Sequence, residues 1–152
     1  MPTNAIELEA LKELVGREFP ISDWLTVTQD RIRQFAEVTE DRQWIHVDPE
    51  RAARESPYGA TVAHGFLTLS LISHLVKQVI EVRGARMGVN YGLNRVRFPS
   101  AVRAGSRIRA HVKLDSIKEL DESVEATLGV FIEAEGGEKP CCVAEWVVRY
   151  YR

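Results

Sequence analysis

Gly65-Phe66-Leu67-Thr68-Leu69-Ser70-Leu71-Ile72-Ser73-His74-Leu75-Val76-Lys77-Gln78-Val79-Ile80 is the stretch that decides the fold. Read at 3.6 residues per turn, Phe66, Leu67, Leu69, Leu71, Ile72, Leu75, Val76, Val79 and Ile80 place apolar side chains on almost every side of a helix over residues 66–80. The run is too short to span a bilayer. A water-soluble chain hides such a helix only by wrapping other elements around it. The wrapping material lies downstream, where the hydrophobic period changes from helical to two. Ile108, Ala110, Val112 and Leu114 share one strand face; Val124, Ala126, Leu128, Val130 and Ile132 share another; Cys142, Ala144, Trp146, Val148 and Tyr150 share a third. Residues 87–98 supply a further strand with a kink expected at Gly92, and residues 24–27 a short one. Gly136-Gly137 marks a turn. The expectation is an α+β fold, a curved antiparallel sheet of about five strands around one long central helix.

Length and composition fit one domain over residues 1–152 with a core of its own. Residues 1–20 are expected as an N-terminal helical arm, because Ile6, Leu8, Leu11 and Leu14 recur at near-helical spacing over 6–15 and Gly16 follows. A net charge of −2 with interspersed signs gives no electrostatic case for nucleic acid or an anionic membrane. The start Met-Pro-Thr-Asn-Ala-Ile-Glu lacks a basic, then apolar, leader, so a soluble, cytoplasmic protein is expected. Cys141 and Cys142 are adjacent within a strand pattern and read as ordinary strand residues in a reducing compartment. No phosphate-binding glycine motif or dinucleotide fingerprint occurs, and no cofactor is expected.

The chemistry sits upstream of the buried helix. Thr28 caps a helix through about Thr39 that buries Ile32, Phe35 and Ala36, and Asp48-Pro49 starts another. Between them runs Asp41-Arg42-Gln43-Trp44-Ile45-His46-Val47, which puts a carboxylate and an imidazole in one connecting segment. Ala63-His64-Gly65 then opens the apolar helix, where unpaired N–H groups favour negative charge on a nearby oxygen. A carboxylate and an imidazole that share a water, facing such a helix start, suit addition of water to an activated alkene. Asp41 is the candidate general base, His46 its partner in holding the water and moving protons, and the Gly65 N–H the candidate donor to a carbonyl oxygen. Taken singly, Asp41 also reads as a solvated loop acid and His46 as a packed histidine. A metal site from Asp41, His46, Asp48 and His64 matches no strong ligand spacing, and none is expected.

This pattern resembles the MaoC-like family of (R)-specific enoyl-CoA hydratases and (3R)-hydroxyacyl-thioester dehydratases, whose signature runs Asp-x-Asn-Pro-Ile/Leu-His-x-Asp with a later Ala/Val-His-Gly. The resemblance extends from about Ser22 to the C-terminus. It implies the hotdog fold, a lyase of fatty acid metabolism, acyl-CoA or acyl-carrier-protein thioesters as substrates, and a homodimer. The chain departs from the signature in three places: Gln43-Trp44 stands where Asn-Pro is common, and Glu40 where glycine often precedes the aspartate. Gln-Trp-Ile-His is similar to the nodulation-protein-N-like branch. Gln43, Trp44, His64, Tyr91 and Asn94 are candidate pocket residues, although a cross-strand polar pair explains Tyr91 and Asn94 equally well. Arg95, Arg97, Arg103 and Arg107 suit coenzyme A phosphates or simply a solvated strand edge; His74 and His111 read as structural or exposed. Two rivals remain. A hotdog thioesterase more often carries its acid on the helix, and residues 66–80 contain none. A non-catalytic acyl-thioester-binding module would need no proton-transfer pair.

Overall fold

The computed structural model describes residues 4–152. In chain order the elements are β1 (Ala5–Glu7), a 3₁₀ helix (Leu8–Leu14), β2 (Leu25–Thr26), α1 (Gln29–Thr39), α2 (Trp44–Val47), α3 (Pro49–Glu55), α4 (Gly65–Lys77), β3 (Glu81–Arg83), β4 (Met87–Arg97), β5 (Arg107–Glu119), β6 (Ser123–Ala134) and β7 (Cys142–Tyr151). Five strands form one antiparallel sheet in the order β2-β5-β6-β7-β4. Its inner face carries the alternating residues predicted from period two: Ile108, Ala110, Val112 and Leu114 of β5 and Val124, Ala126, Leu128, Val130 and Ile132 of β6 are buried. They share one core with Leu67, Ile72, Leu75 and Val76 of α4. Each large side chain hidden this way contributes about 1.5–3 kcal/mol, so the helix is held by the sheet around it.

Caps set the helix starts. The Thr28 side chain accepts a hydrogen bond from the Arg31 N–H at 3.1 Å, and the Asp48 carboxylate does the same for Arg51 at 3.1 Å with Pro49 in the first turn. Ile32 and Ala36 fix α1 against the core, with Phe35 half-buried.

Three expectations need correction. Residues 6–15 do not form a peripheral amphipathic α-helix. Ile6 lies in β1, which pairs parallel with β3, and Leu8 and Leu11 are buried in the core from the 3₁₀ helix. Pairing of residues 5–7 with β3 takes the start of the segment as strand, and Leu8, Leu11 and Leu14, recurring every three residues, fit the 3₁₀ period that follows. Residues 1–3 of the expected arm lie outside the described residues. Second, α4 is not covered all round. Phe66, in its first turn, is 69% exposed, and the helix ends at Lys77, with Val79 and Ile80 buried in the following turn. Third, β4 is interrupted not only at the kink expected at Gly92 but a second time. Its register against β7 shifts between Asn90 and Gly92 and again between Leu93 and Arg95, leaving Tyr91 and Asn94 as inserted residues.

Past the end of α1, Glu40 adopts φ 60 and ψ 20, the left-handed conformation in which glycine is favoured, and it is the one such non-glycine position among the described residues. The glycine common before the aspartate in related sequences is thus explained by backbone geometry. The strain of a side chain there, about 1–2 kcal/mol, exceeds the entropic cost of glycine, about 0.5–1 kcal/mol. Glu40→Gly is expected to raise unfolding free energy by about 0.5–1 kcal/mol, measured by urea denaturation; a decrease would mean that the Glu40 side chain supplies a stabilising contact.

Candidate active site

The left-handed turn at Glu40 throws the chain back across the start of α4. There the His64 ring Nε2 lies 2.9 Å from the Asp41 carbonyl oxygen and 4.0 Å from its carboxylate. A carbonyl only accepts, so His64 Nε2 carries the proton and donates. Arg42 is drawn away to Glu37 on α1, at 2.8 and 3.1 Å. The Asp41 carboxylate stays half in solvent, with its side chain 53% exposed.

His46 is placed differently. The sequence suggested a connecting loop, whereas residues 44–47 close one helical turn, with the His46 N–H bonded to the Gln43 carbonyl at 3.0 Å. Its ring is buried, and Nδ1 meets the Val62 carbonyl at 2.7 Å. The same logic applies: Nδ1–H donates, which leaves the Nε2 lone pair as the basic position of the neutral ring. Val62 grips the turn twice, since its N–H also bonds the Ile45 carbonyl at 3.0 Å.

The two imidazoles stack with centroids 3.8 Å apart and planes 21° apart, and the Phe35 ring packs tilted against His64 at 5.0 Å. His64 is almost fully buried, and its Nδ1 has no hydrogen-bond partner among the described residues. One ligand-type atom from each of Asp41, His46 and His64 lies within 4.8 Å of the others. Groups at that separation can share one water through bonds of about 2.8 Å. Among the described residues this is the one cluster whose ligand atoms would reach a common metal ion; the hydrogen bonds to Val62 and Asp41 account for the ring orientations without one.

His46 opens onto a cavity of about 320 Å³ whose walls include Ile45, Tyr58, Val62, Gly65 and Phe98. Gly65 is the first residue of α4, so its N–H has no intrahelical acceptor. A Cβ at this position would meet the Phe98 ring at 3.1 Å, so glycine lets that aromatic wall close against the helix start. Cys141 also lines this space, but burial pushes its thiol up to about 12, and that of Cys142 up to about 11, and neither is a nucleophile near neutral pH.

The structure thus brings Asp41, His46, His64 and Gly65 together and leaves other candidates apart. The Gln43 backbone N–H faces the Asp41 carboxylate at 3.5 Å, while Trp44 lies beneath the Arg51 guanidinium at 4.2 Å. Tyr91 stacks under Arg149 at 3.5 Å, on the exposed edge strand, and neither it nor Asn94 lines this cavity. Asn90 instead holds the Trp146 indole N–H at 3.1 Å, beside a second cavity of about 240 Å³ against α4. Arg107 is paired with Glu135 and set over Trp24, and His111 with Glu133 at 2.7 Å and over Phe131. His74 is exposed beside Gln78. Val62 and Phe98 escaped the sequence reading: one acts through its backbone, and the other is an exposed-looking residue at a strand end.

Comparison with known proteins gives one consistent answer. The family described as MaoC like domain matches residues 11–135. The 3-hydroxyacyl-thioester dehydratase Z of Mycobacterium tuberculosis is 49% identical over 141 residues, covering 92% of this chain and 93% of that protein. Nodulation protein N of Rhizobium meliloti is 44% identical over 146 residues, 95% of this chain and 91% of that one. Among solved structures, the (R)-hydratase from A. caviae involved in PHA biosynthesis superposes with a TM-score of 0.72 at 28% identity, over 88% of this chain and 94% of that one.

Burial lowers the His46 pKa from the ordinary 6.5; the Val62 bond opposes the shift, the neighbouring His64 adds to it, and Asp41 opposes it. The ring is therefore neutral, with Nε2 free to accept, throughout the neutral range. Histidine NMR titration is expected to give His46 a midpoint below 6.5, and a midpoint above 6.5 would place the ring in a wetter or more anionic setting than this one.

Proposed function

The chain belongs to the MaoC-like domain family, and from that premise we propose that it interconverts trans-2-enoyl thioesters and (3R)-hydroxyacyl thioesters by adding or removing water. The observation that carries this reading is a buried neutral imidazole and a helix start lining one cavity, with a half-solvated carboxylate whose oxygen lies within 4.8 Å of the imidazole nitrogens.

In the hydration direction the Asp41 carboxylate and His46 Nε2 hold one water. The carboxylate takes a proton as the water oxygen bonds C3, the electron pair of the alkene moves toward the thioester carbonyl, and the Gly65 N–H stabilises charge on that oxygen. The proton then returns to C2 through the same pair. His64 is the brace: its bond to the Asp41 carbonyl and its stacking on His46 hold the carboxylate and the imidazole at a fixed separation. Dehydration runs the same steps backward, with protonation of the leaving hydroxyl. Substrates are coenzyme A or acyl-carrier-protein thioesters, and the unpaired, buried cysteines suit a cytoplasmic location.

Incubation with crotonyl-CoA and longer trans-2-enoyl-CoA substrates tests the assignment. The enoyl thioester absorbance is expected to fall without release of free thiol, and chiral chromatography to show predominantly the (3R) product. Free thiol with an enoic acid product would mean hydrolysis instead, and (3S) product would place the water on the opposite face. Asp41→Asn and His46→Gln are each expected to lower turnover by about 100-fold or more with the fold retained by circular dichroism; near-normal turnover by either variant removes that residue from the mechanism.

The second proposal is a homodimer. Among the described residues β4 pairs only with β7, so one side of an eleven-residue strand is an unpaired sheet edge, and Met87, Val89, Tyr91 and Leu93 are exposed along it. The opposite edge, β2, has only two residues. Twofold pairing through β4 would remove the long edge and bring a neighbour's surface toward each site. Light scattering after gel filtration is expected to give twice the 17.2 kDa chain mass; a fully active monomer at assay concentration would overturn the proposal.

A further inference from the structure

We propose that Gln29, with Thr61, is a positioning residue for His46, clasping the two segments that hold the imidazole; this rests on the reading just given of His46 Nε2 as the acceptor that holds the reacting water. Gln29 is the first residue of α1, remote in sequence from every residue of the site, and its side chain is half-buried. Its Nε2 donates to the His46 carbonyl at 2.8 Å, and its Oε1 accepts from the Thr61 hydroxyl. The amide orientation follows from chemistry, because the His46 carbonyl can only accept and so requires the NH₂ end.

The two grips fall on the two segments that define the imidazole's setting. One is α2, which carries His46. The other runs through Thr61 to Val62, whose carbonyl takes the His46 Nδ1–H at 2.7 Å and whose N–H bonds Ile45 at 3.0 Å. Thr61 is itself buried, and its carbonyl accepts the Ala104 N–H at 2.9 Å, so this segment is anchored independently of α2. Gln29 therefore sets the distance across which the Nδ1–H···O=C bond forms. That bond decides which ring nitrogen keeps its lone pair. If the clasp opens, α2 can drift from Val62, the Nδ1 proton loses its acceptor, and the population with Nε2 unprotonated falls. Misplacement by about 1 Å costs up to about 100-fold in rate, and a clasp one bond removed from the ring should act at the lower end of that range.

The test is Gln29→Met, which keeps side-chain length and removes both hydrogen bonds, beside Thr61→Val, which removes one hydroxyl, and Thr61→Ser, which retains it. The expected result is a roughly 10-fold lower kcat for Gln29→Met and Thr61→Val with KM changed less than about 2-fold, near-wild-type rates for Thr61→Ser, and a double variant no worse than the poorer single one. The distinguishing readout is ¹⁵N NMR of the imidazole. Wild type should show His46 in the Nδ1–H tautomer, and the two impaired variants a mixture of tautomers. Folded Gln29→Met and Thr61→Val proteins with an unchanged His46 tautomer and wild-type kcat would overturn the proposal, as would equal losses in Thr61→Ser and Thr61→Val. Should Gln29→Met not fold, the Thr61 pair decides alone. The tautomer measurement needs no turnover, so a failed activity assignment and a failed clasp give different results.

Discussion

A helix that is apolar over most of its circumference determines the rest of this molecule. Leu67, Ile72, Leu75 and Val76 bury one broad side of α4, and the sheet curves to cover that side with the inner faces of β5, β6 and β7, while Phe66, Ser70, His74 and Lys77 stay exposed. The N-terminal end of α4 borders the cavity that His46 opens onto. The Gly65 N–H there cannot be satisfied within the helix, and Phe66 lies at the surface instead of in the core. The candidate chemistry gathers at that end, where an unpaired amide and an imidazole face one space.

The site then follows from hydrogen-bond accounting in a buried corner. Two imidazoles are taken out of water side by side, which is tolerable only while both are not charged. Each donates its single proton to a backbone carbonyl, His46 to Val62 and His64 to Asp41. The two bonds differ in consequence. The first frees a nitrogen of His46 to accept from water, whereas the second ties down the backbone of Asp41 and leaves its carboxylate half in solvent. A buried acceptor and a half-solvated carboxylate make different contributions: one is held to a fixed direction, and the other stays open to water.

Much of this was legible in the chain, for a physical reason. Side-chain periodicity records which face is buried, so α4 and the inward residues of β5, β6 and β7 could be read directly, as could the Thr28 and Asp48 caps. The Asp41, His46 and Gly65 neighbourhood was legible from spacing relative to those elements. What stayed hidden depends on the backbone. Leu8, Leu11 and Leu14 fit a 3₁₀ helix as well as an imperfect α-helix, and only pairing of β1 with β3 chooses between them. The first bulge falls at the kink that Gly92 announced, but the second, at Asn94, has no compositional mark, and neither Tyr91 nor Asn94 lines the cavity. Val62 orients His46 through a carbonyl that every residue type carries, so its identity gave no signal.

Glu40 shows how the departures from the family signature can be weighed one by one. The left-handed turn that aims Asp41 at His64 is kept although the residue best suited to it is absent, so the geometry is imposed by what surrounds it. The constraints are visible: Arg42 is anchored back on Glu37, and the Asp41 carbonyl is held by a histidine packed against both Phe35 and His46. Trp44 makes a similar exchange. Where a proline would stiffen the turn through its ring, the indole is pressed under Arg51, itself bonded to Glu55 at 2.5 Å, so α2 is tied to α3 by side chains instead of by backbone covalency. The turn that carries His46 is therefore held by side-chain restraints: Arg51 over Trp44 on one hand, and His64 bonded to the Asp41 carbonyl on the other. Substitution there can alter how firmly the turn is held without changing the groups that act on water.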